Sequence, residues 1–166
     1  MALHVADYLV LRDDILDEDG EPILDRDGHP KTRWADFWLP WDQISPGYRD
    51  GEKWLTFNLP RHAVPSEAVL LSYELGPTAS PDGDGFRIEY EIVIKTDTDE
   101  HHVRRHRTTS LTTRGLWARV PGRWLLEHPS QNTLLFRVRE TERGPTVGRA
   151  RFSKIILWFQ REVGEP

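Results

Sequence analysis

The sequence predicts an all-β fold, an antiparallel β-sandwich or jelly roll with an N-terminal acidic hairpin or arm. Two observations carry this: apolar residues recur at every second position in several short runs, and turn-forming residues separate those runs. A third bounds the architecture. The chain has 166 residues and no cysteine. That length suits one domain, residues 1–166, with a core large enough to fold without disulfides or thiolate-bound zinc.

The first 50 residues read as the acidic, Trp-rich arm. Asp17-Glu18-Asp19-Gly20-Glu21-Pro22 is followed by Asp25-Arg26-Asp27-Gly28-His29-Pro30, an eight-residue near-repeat. Asp-Gly supplies the positive φ of tight turns, so an exposed hairpin is expected here. Residues 51–163 read as the sandwich core. Leu55, Phe57 and Leu59 alternate against Thr56 and Asn58. Val69, Leu71, Tyr73 and Leu75 alternate against Ser72 and Glu74, and Phe86, Ile88, Tyr90, Ile92 and Ile94 against Arg87, Glu89, Glu91 and Lys95. Leu134, Phe136 and Val138 alternate against Arg137 and Arg139. Each run is a strand with one wet face. Ile155–Phe159 is apolar on both faces, which predicts a central strand covered on both sides. Turns are expected at Pro60, Pro65, Gly76-Pro77, residues 81–85, Pro121-Gly122, Pro129-Ser130 and Arg143-Gly144-Pro145. Short helices are expected near Ser66–Ala68 or Gly122–Glu127.

Charge excludes some partners. Residues 1–83 carry 7 basic and 16 acidic side chains, a net −9, while residues 84–166 carry 15 and 11, a net +4. This asymmetry is read first as solvated surface charge and second as favouring head-to-tail association into a homo-oligomer. It is not the single-sign basic surface of a nucleic-acid binder. The first residues lack a basic, then apolar, leader, and no apolar run approaches the ~20 residues of a membrane span. A cytoplasmic protein, or one released without a conventional signal as part of a virion or other assembly, is expected.

Four groups of residues could carry chemistry. The acidic turns hold Asp17, Asp19, Asp25 and Asp27, whose oxygens suit calcium, although the third acidic position and bidentate Glu of an EF-hand are absent. Plain turns are the first reading and a calcium site the second; no other cofactor is expected. Glu100-His101-His102-Val103-Arg104-Arg105-His106 puts three histidines in six residues, with His102 and His106 on one strand face. The neighbouring arginines disfavour a cation: an exposed basic strand or loop is the first reading, contact of Arg104 and Arg105 with an acidic partner surface the second, and a metal site the last. Seven tryptophans are present. Trp54, Trp117 and Trp158 are expected in the core; for Trp34, Trp38 and Trp41, with Tyr48 nearby, the core or an oligomer interface is the first reading and ligand stacking the second. Finally, no G-x-S-x-G elbow, phosphate loop or H-E-x-x-H motif occurs. A non-catalytic protein is expected, with a carboxylate-based hydrolase third behind a binding module and a structural subunit.

The order of features from Trp54 onward resembles galactose-binding-like β-sandwich domains, the jelly rolls of carbohydrate-binding modules. The residues that carry it are Trp54–Pro60 as an opening strand, Ala68–Leu75, Phe86–Ile94 before a hairpin, then Leu116-Trp117 and Trp124–Leu126. An Asn turn follows, Asn132-Thr133-Leu134, and Phe152–Phe159 closes the domain. Pro129-Ser130-Gln131 replaces the glycine usual before such an Asn. The resemblance implies the sandwich fold and a glycan ligand bound on loops, and it assigns no individual ligand residue.

Overall fold

The structure, a computed structural model, describes residues 2–39, 48–49, 52–76, 88–108, 112–141 and 150–164. Their strands are β1 (Leu3–Val10), β2 (Arg12–Asp14), β3 (Thr32–Trp34), β4 (Phe37–Leu39), β5 (Tyr48–Arg49), β6 (Glu52–Asn58), β7 (Val69–Leu75), β8 (Ile88–Lys95), β9 (Glu100–Thr108), β10 (Arg114–Val120), β11 (Gln131–Thr141) and β12 (Ala150–Val163). One sheet runs β1-β12-β7-β10, with β4 also on β12; the other runs β5-β6-β11-β8-β9; β2 and β3 form a separate ribbon. The pairings are antiparallel, and the expected all-β sandwich is what forms.

The two sheets bury the predicted alternating residues against each other. Phe37 of β4 and Phe152 of β12 meet Phe136 of β11, with ring centroids 5.4 and 5.3 Å apart. Leu55, Leu71, Tyr73, Tyr90, Ile92, Leu134, Leu157 and Phe159 complete that layer. Such burial of aromatic and branched side chains is the main stabilising term.

Two departures from the expected pattern have local causes. First, the sandwich begins at Leu3 and not at residue 51. β1 pairs along its length with β12, from Leu3↔Val163 to Val10↔Ile156, and Phe37 and Leu39 of β4 are buried in the core. The β1 signal is weak in sequence because Asp7 interrupts it; Arg161 on β12 neutralises that carboxylate at 3.0 Å. The acidic turns between β2 and β3 are exposed. Second, β12 is central, but it is covered on one face only. An extra residue between Ser153 and Ile156 forms a bulge, with Lys154 at φ 48°. The bulge shifts the inward set from Phe152 to Ile155, Leu157 and Phe159 and turns Trp158 to solvent.

The connection from β10 to β11 contains a single 3-10 turn, Gly122–Trp124. Asn132 is buried at the start of β11 and clamps this connection, accepting from Leu126 N–H (2.8 Å) and donating to the Leu126 carbonyl (3.0 Å). The Asn turn quoted above therefore has a definite structural task. The turns expected at residues 81–85 and 143–145 lie outside the described residues. Among the described residues, no helix is long and apolar enough to cross a membrane.

Candidate functional site

The outer face of the first sheet is aromatic and open. Register sets Tyr8 opposite Trp158 and Trp158 opposite Leu70, and in the next row Ser72 opposite both Ile156 and Trp117. Tyr8 and Trp158 contact each other with ring centroids 5.4 Å apart and planes tilted 43°. Tyr8 is 56% exposed, Trp158 41% and Trp117 64%. The last two correct the expectation that Trp117 and Trp158 are core residues. Both stand on the solvent side of their strands, because the period of two gives the core side to their neighbours Leu157, Phe159 and Leu116. Trp54 is likewise not in the core. It lies half-buried on the outer face of the second sheet, its indole N–H donating to Glu52 Oε2 at 2.9 Å.

At one end of the aromatic face lies a cleft of about 600 Å³, lined by Trp34, Trp38, Asp36, Glu74, Arg151 and Lys154 among others. Trp38 is opposite Arg151 in register and half-buried, whereas Trp34 is 65% exposed. Asp36 takes both ends of the Arg151 guanidinium fork, at 2.7 and 2.5 Å, which raises the pKa of Arg151 further. Lys154 Nζ reaches Glu74 at 3.0 Å. The bulge that turns Trp158 outward thus also brings Lys154 to the cleft. Trp41 lies outside the described residues. Tyr48 opens β5 opposite Lys53, and only its strand pairing is described.

The histidine-arginine strand does not form the surface that alternation predicts. A bulge between His102 and Arg104 puts His102 and His106 on opposite faces of β9. On the outer side, His102 Nδ1 is 3.3 Å from Glu91, and Arg105 and Arg107 both bind Glu89, at 2.5 and 2.8 Å. Those two hydrogen bonds, Arg107 first, hold Glu89 below the usual carboxylate range. Arg105 is thus already paired within its own sheet. Beside it, Arg137 binds carboxylates from three strands: Glu52 (2.9 Å), Glu91 (2.8 Å) and Glu100 (2.7 Å). His101 stacks on Trp124 at 4.9 Å. On the inner side, Arg104 donates to the Trp117 carbonyl at 3.3 Å, and His106 Nδ1 meets the Tyr90 hydroxyl at 3.1 Å.

A further ion pair lies within the core. Lys53 of β6 and Asp13 of β2 are buried 2.7 Å apart, with the ammonium 5.8 Å from the Phe37 ring centroid. Asp13 also lines a hollow of about 450 Å³, with apolar walls from Leu9, Leu11, Leu55 and Phe57 and polar ones from Arg12, Asp14 and Asn58.

The acidic near-repeat folds as two equivalent turns. Asp17 Oδ1 accepts from the N–H groups of Asp19 and Glu21 (2.9 and 3.0 Å), and Asp25 Oδ1 from those of Asp27 and His29 (2.9 Å each). Gly20 and Gly28 take φ of 80° and 81°, a conformation glycine adopts without the Cβ penalty. Asp25, Asp27 and His29 bring one possible ligand atom each within 4.8 Å, all three exposed. Asp17 and Asp19 do not join them in that group.

No protein-family model matches the chain, and no curated protein matches it.

Proposed function

We propose that the chain is a non-catalytic binding module whose partner lies on the aromatic face of the first sheet and in the adjoining cleft, and that the partner is a glycan. The observation that carries this reading is the exposed set Tyr8, Trp158 and Trp117 on one sheet face. Sugar rings present C–H faces that pack on aromatic rings, and their hydroxyls need polar partners at the edge. The Asp36–Arg151 and Glu74–Lys154 pairs supply such partners beside Trp34 and Trp38. The galactose-binding-like resemblance points to the same ligand class, although it would put the ligand on loops rather than on the sheet face. The test is a glycan array probed with the full chain and with Trp38→Ala, Trp117→Ala and Trp158→Ala. Binding that the variants lose while keeping the β-sheet circular dichroism spectrum supports the proposal. An empty array, or variants that bind as well as the parent, overturns it.

A second reading is a structural subunit of a virion or other assembly. The same face favours it, since large apolar residues exposed together on one face, here Tyr8, Trp117 and Trp158, mark protein interfaces. A stable contact between copies needs roughly 1,000 Å² of buried surface. Light scattering over a concentration series separates the two: a monomer throughout supports the module, and a defined oligomer supports the subunit.

A further inference from the structure

We propose that the seam of the sandwich, where β9 of one sheet meets β10 of the other, is a binding site for a small oxyanion held by Arg104 and Arg114 beside His106. The site lies behind the aromatic face and does not depend on the glycan reading.

Arginines elsewhere in the structure set the contrast. Arg105, Arg107, Arg137, Arg151 and Arg161 each pair with at least one carboxylate. Arg104 is half-buried, yet among the described residues no carboxylate pairs with it or with Arg114. Its Nε is shut off from solvent and has no hydrogen-bond partner. A guanidinium held partly out of water without a counter-charge is costly, and an anion removes that cost. The geometry keeps it in place: Nη1 donates to the Trp117 carbonyl at 3.3 Å, bridging the two sheets.

Counting hydrogens defines the floor of the site. Tyr73 and Tyr90 are buried with their hydroxyls 2.5 Å apart, and Tyr90 lies 3.1 Å from His106 Nδ1. Burial is the largest cause for both phenols and keeps them protonated: Tyr73 is raised far above its usual range, with Tyr90 adding to the rise, and Tyr90 is raised against the opposing pull of Tyr73 and Arg104. Tyr90 is the one hydrogen-bond partner of Tyr73 among the described residues, so the buried proton of Tyr73 must go to Tyr90. Tyr90 then donates to His106 Nδ1, which leaves the neutral imidazole with its proton on Nε2. Arg104, Arg114 and His106 therefore present only donors, with two fixed positive charges and no acceptor. Divalent cations are repelled by such a set, and oxyanions of the sulfate, phosphate or carboxylate kind are matched by it.

His106 reports on occupancy. Burial, then Arg104 and Arg114, lower its pKa; the groups that face it are Tyr90 from β8, Arg104 from β9 and Arg114 from β10. A bound anion offsets the two arginines and raises it. The experiment is an NMR pH titration of His106 in the full chain, with sodium sulfate, phosphate or acetate against sodium chloride at equal ionic strength. The expected result is a saturable rise of about one pH unit in the His106 midpoint with at least one of the three anions. Sulfate or phosphate alone would identify a tetrahedral ligand, and acetate alone a carboxylate. Arg114→Gln, on the exposed strand, should weaken that anion about tenfold. Arg104→Gln should do the same if it folds, and Arg114→Gln keeps the test open if it does not. A midpoint that follows ionic strength alone, or binding unchanged in Arg114→Gln, overturns the proposal.

Discussion

The indole N–H of Trp158 donates to Ser72 Oγ at 2.8 Å, crossing diagonally from β12 to β7, although Trp158 is opposite Leu70 in register. This bond holds the ring on an exposed face without burying it. Trp158→Ala and Trp117→Ala should therefore change stability by less than about 1 kcal/mol, whereas Phe136→Ala should cost about 3–5 kcal/mol. Urea denaturation of the three variants measures the difference. Large losses at Trp117 or Trp158 would return those residues to the core.

Lys53 and Asp13 are buried together, so removing one leaves an uncompensated charge. Asp13→Ala should destabilise the fold by about 3–5 kcal/mol, while Asp13→Leu combined with Lys53→Met should cost much less or stabilise. A double variant as weak as the single one would show that the pair contributes more than mutual charge compensation.

Glu89 gives the fold an acid limit. Its carboxyl is more acidic in the folded chain than in the unfolded one, owing to Arg107 and Arg105. The folded chain then binds fewer protons, so this stability is complete above the ordinary carboxylate pKa and is lost as pH falls through the lowered one. Glu89→Gln should lower the melting temperature at neutral pH, and the gap from the parent should close on acidification. A gap that stays constant with pH would remove Glu89 from the account.

Gly122 meets a close backbone. A Cβ at this position would stand 1.3 Å from the Pro65 carbonyl oxygen. Gly122→Ala forces the residue 64–66 turn or the 3-10 turn to move and should cost about 1–3 kcal/mol. Thermal unfolding reads this directly, and a neutral result would mean the two turns separate freely.

Calcium should matter little to the fold. One oxygen each of Asp17 and Asp25 is already committed to backbone N–H groups. Millimolar calcium should raise the melting temperature by less than ~10 °C. A larger rise in calorimetry would show that the acidic turns bind the ion strongly.

Much of the fold is legible in local pattern. Period-two runs such as Val69–Leu75 and Leu134–Val138 name the strands; Val69, Leu71, Tyr73, Leu75, Leu134 and Phe136 are buried, and Val138 is half-buried against the core. Asp-Gly pairs name the two acidic turns, because positive φ is a local property of the chain. Trp34 and Trp38 could be singled out by their crowding, and they do line the cleft.

The rest depended on tertiary structure, and the physical reason is register. One extra residue in a strand reverses every side chain beyond it. The bulge at Lys154 exposes Trp158 and brings Lys154 to the cleft, and the bulge between His102 and Arg104 sends those two side chains to opposite faces. Neither bulge is marked by Gly or Pro. Long-range pairing also decides what a charge is for. Sequence alone determined that β9 is rich in arginine; the fold determined that Arg105 meets Glu89 while Arg104, a neighbour in the chain, turns inward to Trp117 without a carboxylate.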